Sequence, residues 1–114
     1  MDILFRASKL RKECNNSVLA VRRYGPEMAT LLRRRLDEIL AAGTLADLRT
    51  LPQIRCHELT GNKKGQLSVD LKHPYRLLFE PANEPMPRKP DGGMLWEGAT
   101  AVRVLGVEDT HDHG

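Results

Sequence analysis

The stretch "CHELTGNKKGQLSVDLKHPYRLLFE", residues 56–80, decides how this chain folds. Leu67, Val69 and Leu71 alternate with Ser68, Asp70 and Lys72, and Tyr75, Leu77 and Phe79 alternate with Arg76, Leu78 and Glu80. A period of two is that of a strand with one face toward a core. "TGNKKG" and "HP" supply the connecting turns, so the stretch predicts antiparallel strands joined in sequence. Upstream the same alternation weakens through Ile54, Cys56 and Glu58, which extends the first strand back to about residue 54.

Working outward toward the N-terminus, the period becomes helical. "PEMATLLRRRLDEILAAG" places Met28, Leu31, Leu32, Leu36, Ile39 and Leu40 on one stripe, with Pro26 at its start, Glu27 in its first turn and Gly43 at its end. Before it, Leu10, Cys14, Val18 and Val21 recur at three- and four-residue steps from a cap at Ser8. The run Asn15-Asn16-Ser17 marks a break within that helix. "TLADL" sets Thr44 three residues ahead of Asp47, a capping box for one short turn. "DILF" at residues 2–5 is a short strand or an extended lead-in.

Toward the C-terminus, residues 81–98 are rich in proline and glycine and form a long loop that is partner-facing or an insertion. "TAVRVLGVED" then restores the alternation, with apolar residues on both faces as in a covered strand. The expected fold is α+β: two N-terminal helical elements packed on one face of a mainly antiparallel sheet of four to five strands. One domain spans residues 1–114.

Composition sets the remaining bounds. With 40% apolar and 29% charged residues, the chain is globular rather than disordered. No window has the length or apolarity of a membrane helix, and the apolar start is too short for a signal peptide. A cytoplasmic protein with two reduced thiols, Cys14 and Cys56, follows. The charge is uneven: residues 1–55 carry 11 Lys/Arg against 6 Asp/Glu, and residues 56–114 carry 7 against 9. A basic half suits a polyanion, an acidic partner or merely a solvated helix face. Arg33, Arg34 and Arg35 diverge around a helix and cannot form one patch.

The sheet face turned away from the helices collects the polar groups. His57, Arg76, Asp109 and His111 come from separate strands, yet neighbouring strands lie only about 5 Å apart. Metal-free RNA cleavage needs this set: a base for the 2′-hydroxyl proton, a cation for the charged phosphorane and an acid for the leaving oxygen. Histidine titrates near neutrality and arginine offers a permanent charged fork. Each residue also has a plainer explanation: a solvent-facing strand histidine, an arginine paired with Asp70 or Glu80, and a frayed "HDHG" tail. No metal site or cofactor is expected.

Together, H-x-L-x-G-x-x-K-G at His57, Leu59, Gly61, Lys64 and Gly65, the Tyr75-Arg76 pair and the closing "VEDTHD" resemble the HigB-type toxins of the RelE/ParE superfamily, the plasmid maintenance killer proteins. That resemblance implies a RelE-like fold and the toxin of a type II toxin–antitoxin pair that cuts mRNA in the ribosomal A site. It implies a HigA-like helix-turn-helix antitoxin as partner, with operator DNA met only through that antitoxin, and no membrane. By the same resemblance His57, Arg76, Asp109 and His111 are catalytic. Thr60 and Asp70 stand where many members carry cations, and Thr110 where they carry an aromatic. Lys63, Lys64 and Lys72 are the RNA-binding candidates near enough in sequence to compensate, and Arg103 is a further RNA-binding candidate. The alternatives on the same scaffold are a non-catalytic inhibitor of the ribosome or a gyrase-type target, and a decayed toxin that only binds its antitoxin.

Overall fold

A computed structural model describes residues 1–109. Helices come first: α1 (Ser8–Asn15), α2 (Ser17–Tyr24), α3 (Pro26–Ala41) and the short α4 (Leu45–Arg49). Five strands form one sheet: β1 (Asp2–Phe5), β2 (His57–Glu58), β3 (Leu67–Asp70), β4 (Tyr75–Pro81) and β5 (Ala101–Asp109), in spatial order β1-β5-β4-β3-β2. Every pairing is antiparallel except β1 with β5. The fold is the expected α+β arrangement, with "DILF" as a true strand that makes β5 an interior one.

Local signals set the helix boundaries. Asn16 ends α1 and caps α2, its side chain accepting from the Val18 and Leu19 amides. This break also corrects the expected stripe. Leu10 and Cys14 are buried, but Val18 is 62% exposed and Val21 is exposed too, with Ala20 turned inward instead. The interruption resets the helical phase, so a three-and-four count carried across Asn16 no longer tracks one face. Ser8 caps nothing; it lies inside α1, whose cap position Ala7 has no side-chain bond. The Thr44–Asp47 capping box forms in both directions. Gly43 lies beyond the cap of α3, which is Ala42.

The core fills the space between α3 and one sheet face: Met28, Leu32, Leu36 and Ile39 meet Leu67, Val69, Leu77, Phe79, Val102 and Val104. Leu40, placed on the stripe by periodicity, is exposed. Residues 52–54 form a 3-10 turn rather than strand, so β2 keeps only two residues. The 81–98 segment folds back on itself through an Arg88–Met94 bridge. It docks on α4, where the Arg49 guanidinium lies 4.6 Å from the Trp96 ring centre.

Candidate functional site

Side chains opposite one another across a ladder share a face. Pairing His57 with Ser68, Ser68 with Leu78, Leu78 with Gly106, and both Asp70 and Glu108 with Arg76 therefore assembles one row on the face away from the helices. Ser68 and Leu78 are fully buried although neither belongs to the helix-covered core. The turn at 59–66 runs on this side, where Lys63 and Gln66 line a hollow with Gly106 and Glu108. Lys63, in that turn next to β3, reaches Glu108 on β5 (3.5 Å) and so crosses β4 on this face.

Arg76 is the centre of the row. Its Nε donates to Ser68 Oγ (2.7 Å), Nη1 donates to Asp70 Oδ1, and Nη2 donates to the Arg55 carbonyl (2.8 Å). His57 Nδ1 lies 3.4 Å from the same Nη2 and 3.2 Å from the Arg55 carbonyl. A carbonyl only accepts and a guanidinium N–H only donates, so Nδ1 carries the hydrogen when it bonds the carbonyl and accepts when it bonds Nη2; the ring itself is exposed. Burial draws the Arg76 guanidinium below its ordinary pKa; Asp70 opposes that shift and Arg55 adds to it. Arg55 stands beyond, its Nε 3.6 Å from Asp70 Oδ2. Arg55, Asp70, Tyr75 and Arg76 help line a hollow of about 270 Å³.

His57 and Arg76 are thus brought together, while several of the other described candidates lie elsewhere. Asp109 pairs with Tyr75 and falls in the row of Leu77 and Val107; Glu108 stands opposite Arg76 in its place. The cause is a bulge. Phe79 faces Val104 and Leu78 faces Gly106, so Leu105 is an extra residue that inverts the alternation of the strand's end. His111 and Thr110 lie outside the described residues. Lys63 joins this face, whereas Lys72 pairs with Glu27 of α3 (2.8 Å). Lys64 is exposed beside Glu58 at the rim of the 81–98 loop. Arg103 is opposite Glu80, farther along β4. Thr60 is exposed at the start of the 61–63 turn.

Sequence reasoning missed Ser68, Glu108 and Arg55. The alternation of Ser68 and Asp70 against Leu67 and Val69 was the available signal for the first. Nothing local announces Arg55, whose role depends on a left-handed backbone (φ 49°, ψ 56°).

Among the described residues no group of three His, Cys, Asp or Glu could hold a metal, and no helix is long and apolar enough to cross a membrane. Both cysteines are free thiols, and burial pushes each up to about 11. Residues 8–87 match the model of the HigB-like toxin family, described as the RelE-like toxin of type II toxin–antitoxin system HigB. No curated protein matches the chain.

Proposed function

We propose a ribosome-dependent mRNA endonuclease for this chain, which belongs to the HigB-like family of RelE-like toxins from type II toxin–antitoxin systems. Such a system implies an antitoxin as partner. One observation carries the catalytic reading: an exposed His57, its Nδ1 anchored on the Arg55 carbonyl, stands against the Arg76 guanidinium on the face the helices leave bare.

In this reading His57 Nε2 takes the proton of a ribose 2′-hydroxyl, whose oxygen attacks the adjacent phosphorus. The bond from phosphorus to the 5′-oxygen breaks, leaving a cyclic phosphate, and a second acid returns a proton to the departing oxygen. His111 is our candidate for that acid, with Asp109 to orient it. A guanidinium on this face stabilises the charge that builds on the phosphorane, an effect typically of about 10²–10³ in rate per donor. Acid–base and charge stabilisation come from side chains, so no metal or cofactor takes part. Lys63, Lys64, Lys72 and Arg103 would contact the RNA backbone. The toxin would act in the cytoplasm as a single domain, with a HigA-like antitoxin linking it to operator DNA.

A specific observation favours a second reading. Asp70 and Glu108 pair with Arg76 and Lys63, neutralising much of the positive charge on this face. That suits a non-catalytic inhibitor on the same fold, or a toxin that only binds its antitoxin. Induction with and without the antitoxin, followed by mapping mRNA 5′ ends, separates them. Cuts in the ribosomal A site that vanish in His57→Ala support cleavage. Arrest with intact mRNA supports inhibition, and no arrest leaves the antitoxin-only role.

A further inference from the structure

We propose that Arg55 supplies the cation that meets the RNA phosphate, and that Arg76 is the positioning residue that holds Arg55 in place. This rests on the reading of the open face as an RNA site.

Arg76 is poorly suited to bind an anion directly. Its side chain is only 12% exposed, and Nε, Nη1 and Nη2 all donate within the protein. A guanidinium has five N–H groups, so these bonds together with the Ser68 carbonyl contact (3.4 Å) leave little to offer. Arg55 is the reverse. Its side chain is 72% exposed, and its Nε sits 3.6 Å from Asp70, beyond hydrogen-bond length. Two guanidinium groups therefore share one carboxylate, which leaves about one positive charge unneutralised at the hollow beside Tyr75.

The backbone adds a second argument. Arg55 is the one non-glycine among the described residues with a positive φ. A left-handed conformation costs such a residue roughly 1–2 kcal/mol and persists where surroundings over-determine it. Here the Arg55 carbonyl accepts from Arg76 Nη2 and lies against His57 Nδ1. Arg76 thus fixes the backbone from which the Arg55 guanidinium projects, and the same carbonyl orients the histidine.

The test is the salt dependence of binding to a fluorescein-labelled single-stranded RNA, followed by anisotropy. Each phosphate contact contributes about −0.7 to the slope of log K against log salt. Arg55→Asn removes the charge with a residue that tolerates a positive φ, so the thermal midpoint should hold while the slope magnitude falls by about 0.7. Arg55→Lys should restore the slope. The paired exchange Asp70→Asn with Arg76→Gln leaves net charge unchanged; it should weaken affinity and keep the slope. An unaltered slope in Arg55→Asn, a slope lost in the paired exchange, or no RNA binding by the unsubstituted protein would overturn the assignment. Intact mRNA alongside the expected slopes would sink cleavage while leaving Arg55 as the phosphate contact.

Discussion

Leu77 and Leu78 are neighbours in β4 and equally hidden from water, yet different parts of the chain bury them. Leu77 belongs to the core packed under α3, together with Phe79. Leu78 lies on the other face, in a row with Ser68 and Gly106 that the 59–66 turn spans through Lys63 and Glu108. One side is a helix-covered layer of aliphatic side chains. The other is a thin lid over a network of charged groups. The contrast teaches that concealment from solvent does not identify the core of this protein, and that the face bearing His57 is partly closed by its own loop.

The largest effect should come from the helix-covered side. Phe79→Ala should cost about 3–5 kcal/mol in urea unfolding, because a fully buried ring leaves a cavity that packed helices cannot refill. A loss under about 1 kcal/mol would break the contrast. Leu78→Ala should cost about 2–3 kcal/mol, toward the lower end of its class, since the lid can settle into the gap. Limited proteolysis should then cut faster within 59–66; unchanged cleavage would detach the lid from that side chain.

Arg76→Ala bears on the polar side. On the endonuclease reading it should lower A-site mRNA cleavage roughly tenfold or more, through loss of the contacts to Asp70, Ser68 and Arg55. An unchanged cleavage rate would remove the guanidinium from the site.

A smaller effect is read by pH. Cys14, inside the helical layer, and Cys56, beside β2, both hold their protons up to about pH 11 when folded, against an ordinary value of 9.0. The unfolded chain loses those protons first. Stability from these thiols should thus be complete below pH 9 and decline as pH rises toward about 11. Chemical denaturation across that window, compared with the same scan on Cys14→Ala, checks the sign; an identical decline would clear Cys14 of any part. Smallest should be Lys63→Ala, at most about 1 kcal/mol for a partly exposed ion pair. A larger loss in thermal unfolding would mean the lid is held mainly by charge.

Much of the scaffold was legible because its signals are local. The α3 stripe, the Thr44–Asp47 box and the β3–β4 alternation each lie within a few turns of chain. The Asn15-Asn16-Ser17 run announced the break between α1 and α2, though not that the break would turn Val18 and Val21 outward. The candidate site was legible only in part. His57 and Arg76 stood out by residue type and strand position. That Asp70 would occupy the arginine was one of two pairings open in the sequence, since Glu80 offered the other.

What the sequence by itself determined is the set of elements and their buried stripes, since periodicity, caps and turns act between residues a few positions apart. Only the tertiary structure decided which groups face His57. One extra residue at Leu105 sets Glu108 rather than Val107 opposite Arg76 and turns Asp109 off that face, and the carbonyl of the left-handed Arg55 is bound by a residue 21 positions away. Side-chain parity along a strand is cumulative, so a single bulge in a distant ladder reassigns every later position.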